Sequence, residues 1–144
     1  MDMRRISMFL LLAVSLVAAG DPWTESDLVR PEVVAKDIKS PLLLQVGFDV
    51  LYRASHIPGS VYAGPASKPE GIELLKEAVK GQPKNREIVI YCGCCPMEKC
   101  PNIRPAFAAL HDMGFTQVKV MSLPANLKAD WTDKGYPIEK RSAQ

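Results

Sequence analysis

Outside one window of nine residues this chain has no cysteine, and in its whole length it has only two histidines, His56 and His111. A metal centre built mainly on imidazoles and a fold stapled by bridges between distant cysteines are both excluded. No block of like charge occurs and the formal net charge is +2, so there is no electrostatic footprint for nucleic acid. Internal repeats and low-complexity tracts are absent as well. The sixth residue after Cys92 is Glu98 where a cysteine phosphatase would carry arginine, which speaks against that chemistry. The apolar run from Met8 to Val17 falls short of the about 20 residues needed to span a bilayer.

What is present describes one ordinary domain. The 144 residues are 47% hydrophobic and 24% charged, enough apolar surface to pack a soluble core. Residues 1–20 stand apart. Arg4 and Arg5 precede the apolar run, and Ala18, Ala19 and Gly20 follow it, the charge, apolar segment and small residues of a secretory signal peptide. The expectation is an exported chain, periplasmic or secreted, cleaved near Ala19 or Gly20, with no stable membrane insertion afterwards. The domain then spans 21–144. Taking Arg4, Arg5 and Asp2 from 18 basic and 16 acidic residues leaves 16 and 15, a nearly neutral mature protein. Export sets the redox background too, because thiols outside the cytoplasm oxidise unless a reductant or a metal protects them.

Along the mature chain, strand-like and helix-like segments alternate. A short extended piece precedes Pro31, a good first helical residue, and Val33, Val34 and Ile38 are expected on one face of a short helix. "PLLLQV" at 41–46 is a continuous apolar run of strand length, as expected for a strand covered on both faces. A loop with His56, Pro58 and Gly59 is expected next, then a short strand in "SVYAG". "GIELLKEAVKG" reads as a helix bracketed by Gly71 and Gly81. "REIVIY" at 86–91 is the clearest strand and ends directly at Cys92. Ile103, Phe107 and Leu110 share a face of a helix from Asn102 to Met113, stopped by Gly114. "TQVKVM" reads as a strand and "PANLKADWTDKG" as a closing amphipathic helix. The alternation implies a three-layer α/β/α sandwich with a mainly parallel sheet of about five strands. Trp131, Tyr136 and Phe107 are read as packing residues, and His111 as a helix-end imidazole needing no ligand.

All four cysteines lie in "YCGCCPMEKCP": Cys92, Cys94, Cys95 and Cys100. Functional crevices in such sheets lie at the carboxyl ends of strands, where Cys92 sits. The loop leads into a helix amino terminus, whose free amides and positive dipole end lower a thiol's pKa and favour a thiolate or persulfide. Gly93, Lys99 and Arg104 are candidates to shape that anion site. A thiolate held by amides is suited to covalent transfer of a sulfane sulfur. Two rival readings stay open. Four thiolates are the number needed for zinc, and copper(I) suits soft sulfur equally; against them, paired C-x2-C knuckles are absent, and adjacent Cys94 and Cys95 are not expected to face one ion readily. A disulfide from Cys100 to Cys94 or Cys95 would leave Cys92 free, and a redox pair with a resolving neighbour is equally open.

"HIPGSVY" at 56–62, "EIVIYC" followed by a loop and "RPAFAALHDMGFTQVKVM", and "LKADWTDKGYPIEK" resemble, in this order, segments of rhodanese-like domains. "VRPEVVAKDIKSPLLLQV" fits their opening strand, helix and strand, so the resemblance covers essentially the whole mature chain. It implies an α/β sulfurtransferase whose persulfide carrier ends the fourth strand, here Cys92, with no cofactor. His56 matches a family histidine that is more structural than catalytic. The implied partners are a small sulfur donor such as thiosulfate and a thiol or cyanide-type acceptor, a protein thiol among them. Cys94, Cys95 and Cys100 would then resolve or relay the sulfur. Two departures stand out. The family's second strand ends in an aspartate and an arginine where this chain has Gln45 and Gly47, and the family's active loop is shorter and lacks the three extra cysteines.

Overall fold

A computed structural model describes residues 20–141. The predicted signal peptide therefore lies outside the described residues, apart from Gly20. Among the described residues, no helix is long and apolar enough to cross a membrane.

Five strands form one sheet: β1 (Leu28–Val29), β2 (Leu42–Gln45), β3 (Val61–Tyr62), β4 (Ile88–Tyr91) and β5 (Val118–Met121). The order is β1-β5-β4-β2-β3, and every pairing is parallel. Between them run α1 (Pro31–Lys36), α2 (Asp49–Ala54), α3 (Pro69–Ala78), α4 (Ile103–Asp112) and α5 (Leu127–Asp130). The fold is the expected α/β/α sandwich.

Its two cores follow from strand alternation, because successive side chains of a strand point to opposite faces. Leu44, Ile88, Ile90, Val118 and Val120 pack on one face against Leu75 of α3 and Ile103, Phe107 and Leu110 of α4. Leu43, Val89, Tyr91 and Met121 pack on the other against Val34, Leu127 and Trp131. Each such Leu, Ile or Val side chain contributes about 1.5–3 kcal/mol on burial. Central strands clad on both sides favour apolar residues at successive positions, which is why "LLL" at 42–44 and "IVIY" read as unbroken runs.

Four local expectations are corrected. Val33 is 47% exposed, and Ile38 lies past the end of α1, so Val34 carries that helix's core contact. Gly71 sits inside α3, which starts at Pro69 with Lys68 before it; proline at the first helical position marks the start better than the glycine does. The stretch after β2 is not simply loop: α2 occupies Asp49–Ala54, and six residues with one buried side chain, Tyr52, leave little periodicity to read. The closing helix is two pieces, α5 and a 3₁₀ turn at Thr132–Lys134, before Gly135 at φ +80°.

The chain leaves β2 toward one edge of the sheet, by way of β3, and leaves β4 toward the other, by way of β5. The connections after β2 and β4 thus part above two neighbouring strands, which opens a crevice at their carboxyl ends.

Candidate functional site

Cys92 follows the last residue of β4 and is 3% exposed. Gly93, at φ +97°, turns the chain sharply back, a conformation that only glycine adopts without strain. Two backbone contacts pin the loop: Leu127 donates its N–H to the Gly93 carbonyl at 3.2 Å, and Met97 donates to the Leu123 carbonyl at 3.0 Å. A short 3₁₀ turn, Met97–Lys99, then delivers Cys100 to the start of α4.

The loop brings all four sulfurs together, each within 4.8 Å of the others. Cys92 Sγ lies 3.4 Å from Cys94 Sγ, which lies 2.9 Å from Cys95 Sγ. Cys92 and Cys100 are buried, Cys95 is half-buried and Cys94 is exposed; none is bridged in a disulfide. Adjacent Cys94 and Cys95 were expected to look apart. Instead the turn at Gly93 and the 3₁₀ turn fold the loop over itself, so both thiols join the cluster.

The electrostatics divide the thiols. Cys100 is pulled below an ordinary thiol first by the neighbouring Cys92 thiol and then by the backbone amides of Asn102 and Ile103 at the start of α4, with burial acting the other way. The net effect lowers its pKa from an ordinary 9.0 to about 6. Cys92 is shifted the other way: the neighbouring Cys100 first, and burial second, push its pKa far up. Burial first and the Cys94 contact second raise Cys95 to about 12. The Cys94 backbone amide acts on Cys92 in the opposite sense, lowering its pKa.

Three residues not assigned a role from sequence build the wall behind Cys92. Gln45, 1% exposed, donates from Nε2 to the Cys92 carbonyl at 2.8 Å, and its Oε1 is buried without a partner. Gly47 packs so closely that a Cβ there would lie 2.9 Å from both the Cys92 sulfur and its carbonyl oxygen. The two positions that depart from the family's aspartate and arginine therefore touch Cys92 directly. Asn102, fully buried, accepts from the Ser67 N–H at 3.0 Å and donates from Nδ2 to Cys92 Sγ at 3.6 Å. An asparagine just before a helix reads as an ordinary cap, so no sequence signal separates it from one.

A cavity of about 320 Å³ opens beside this wall, lined by Gln45, Cys92, Gly93, Leu51 and Ser55 of the α2 region, and Leu127 and Lys128 of α5, among others. The other predicted residues lie further from the sulfurs or face elsewhere. Arg104 points outward, with its guanidinium on the Glu98 carbonyl at 3.0 Å and on Asp21 Oδ1 at 2.5 Å, over the ring of Trp23. It thus ties the loop and the start of the described chain to α4. Glu98 and Lys99 are exposed. His56 is buried just past the carboxyl end of α2, outside the cavity lining, with Nδ1 2.7 Å from the Tyr52 carbonyl and Nε2 3.0 Å from Glu139 Oε1.

Comparison with known proteins comes to the same architecture. The sequence pattern of the rhodanese-like domain matches residues 30–123. The BH2092 protein from Bacillus halodurans superposes with a TM-score of 0.62 at 19% identity, over 81% of this chain and 78% of that one. The Alr3790 protein from Anabaena gives 0.61 at 22%, over 80% and 94%. A thiosulfate sulfurtransferase from Pseudomonas aeruginosa gives 0.57 at 16%, over 81% of this chain but 21% of that one. None of the curated proteins matches the chain by sequence.

Proposed function

This chain belongs to the rhodanese-like domain family, and on that premise we propose that it is a sulfurtransferase working through a persulfide on Cys92. The observation that carries this reading is the position of Cys92: it follows β4, lines the cavity at the parting of two crossovers, and has the Cys100 sulfur within 4.8 Å. A nucleophile beside a base that takes its proton is the arrangement covalent catalysis needs.

In the proposed cycle a donor enters the cavity, and the Cys92 sulfur attacks the donor's outer sulfur as its proton passes to Cys100. With thiosulfate, the substrate named for the Pseudomonas aeruginosa enzyme, the sulfur–sulfur bond of the donor breaks and sulfite leaves with the electron pair. Cys92 then bears a persulfide, which the Cys94 amide and Asn102 Nδ2 are placed to stabilise. An acceptor thiol attacks the outer sulfur and restores the Cys92–Cys100 pair. Exposed Cys94 stands at the surface, where it can pass sulfur to a partner thiol. The leader-like pattern around Arg4, Arg5 and the Met8–Val17 run supports an exported, periplasmic or secreted setting.

The test is single-turnover loading. Reduced protein mixed with thiosulfate should gain the mass of one sulfur atom and release sulfite, and Cys92→Ser should do neither. Unchanged loading in that variant would move the carrier to another thiol.

A further inference from the structure

The three extra thiols are more than sulfur relay requires, and their placement has its own geometry. Four sulfurs at about 2.3 Å from one tetrahedral ion lie about 3.8 Å from one another. The four sulfurs here all lie within 4.8 Å of each other, with Cys92–Cys94 at 3.4 Å and Cys94–Cys95 at 2.9 Å. Both short separations fall below that edge, and none of the others exceeds it by more than about 1 Å.

The surroundings suit a bound soft ion. Buried Cys92 and Cys100 form the floor, with Cys92 Sγ held by Asn102 Nδ2 at 3.6 Å. Partners of this kind orient ligands and tune a metal site. Half-buried Cys95 and exposed Cys94 form the outer edge, which leaves a path from solvent. Apolar Met97 and Cys95 pack against the core beneath the loop. Among the described residues no histidine or carboxylate joins the group, so the donor set is all sulfur, which selects thiophilic closed-shell ions over magnesium or calcium.

We propose that Cys92, Cys94, Cys95 and Cys100 form a binding site for one thiophilic d¹⁰ cation, zinc(II) or copper(I), and that the bound ion closes the sulfur-transfer site. Binding forms metal–sulfur bonds and breaks the remaining S–H bonds. The protons go to solvent and no electron is transferred, with copper arriving already as copper(I). Because Cys92 is one of the ligands, metal and persulfide exclude each other; this second part rests on the sulfur-transfer reading above.

The experiment begins with the full-length protein, reduced anaerobically by a phosphine, then titrated separately with zinc(II) and with copper(I) against a competing chelator. Bound metal is measured after desalting, and free thiols are counted by alkylation and mass spectrometry. One ion per chain is expected, with the cluster thiols protected from alkylation. Cys94→Ser changes only an exposed side chain and should keep the fold, as circular dichroism would verify. It should weaken binding at least about tenfold, the least that disturbing a metal ligand's surroundings costs. Fully reduced protein that takes up neither ion stoichiometrically overturns the site, as does undiminished binding in a folded Cys94→Ser, Cys95→Ser double variant. Loading with thiosulfate is then compared with and without metal. Metal-bound protein that gains sulfur as fast as metal-free protein overturns the exclusion. Sulfur loading that fails without metal while the ion still binds removes the transferase reading alone.

Discussion

The two buried polar centres of this domain are built in opposite ways. At His56 every polar group is satisfied: both ring nitrogens have partners, the ring stacks on Tyr52 at 3.9 Å, and the backbone pairs with Glu139 in both directions. At the cysteine loop four thiols remain unbridged, the pKa values of Cys92 and Cys100 are pushed in opposite directions, and Gln45 Oε1 has no partner among the described residues. The first arrangement closes the tail onto the domain. The second holds reactive groups in place without consuming them, which is what separates a chemical site from a clasp.

Substitutions should split along this line. The largest effect is expected at Cys92→Ser, which should abolish sulfur loading, read by intact mass, and leave the thermal midpoint within a few degrees. His56→Ala should do the reverse. Removing a buried ring with two hydrogen bonds should lower unfolding free energy by about 2–4 kcal/mol in urea denaturation, with loading per folded molecule retained. A loss of loading equal to that of Cys92→Ser would erase the distinction between the two centres.

Gly47→Ala sharpens the comparison from the other side. Its Cβ would press on the Cys92 sulfur and carbonyl at 2.9 Å, and overpacking of this kind costs about 1–3 kcal/mol. Here the loading rate should fall as well, because the displaced atom is the reacting one. Rates measured by stopped mixing with thiosulfate, set against denaturation midpoints, would separate the two losses.

A smaller effect concerns pH. The Cys100 pKa is lower in the folded chain than its ordinary 9.0, so the thiolate stabilises the folded state. That contribution is fully present above about pH 9 and is lost as the pH falls through about 6. The raised Cys92 pKa acts oppositely, but its contribution is complete below pH 9 and does not vary in this window. The stability advantage of reduced wild-type protein over Cys100→Ser should therefore shrink between pH 9 and pH 6 in denaturant titrations. An advantage that grows instead would assign the charge to another thiol. Least of all, Glu139→Gln keeps an acceptor for His56 and should cost no more than about 1 kcal/mol.

Much of this was legible from residues alone, and the parts that were not share a cause. "LLLQ" and "IVIY" announce buried parallel strands because a strand's period and burial are written in its own few residues. Cys92 at the end of "IVIY" was readable as a site for the same reason. The helix α2 was missed because its single buried contact, Tyr52, meets partners that neighbouring sequence does not reveal. Asn102 was missed because its side chain turns away from the helix it precedes and reaches Ser67 and Cys92.

By itself, then, the sequence determined a parallel α/β sandwich with a cysteine at the end of a central strand, since local apolar patterning decides which segments are buried and how they cross over. Only the tertiary structure decided that four thiols meet within 4.8 Å, that Cys100 is the thiol whose pKa is lowered, and that Gly47 backs the Cys92 sulfur. The physical reason is separation along the chain: Gln45 and Cys92 stand 47 residues apart, and a proton's position in such a cluster depends on amides and neighbours that only folding brings within reach.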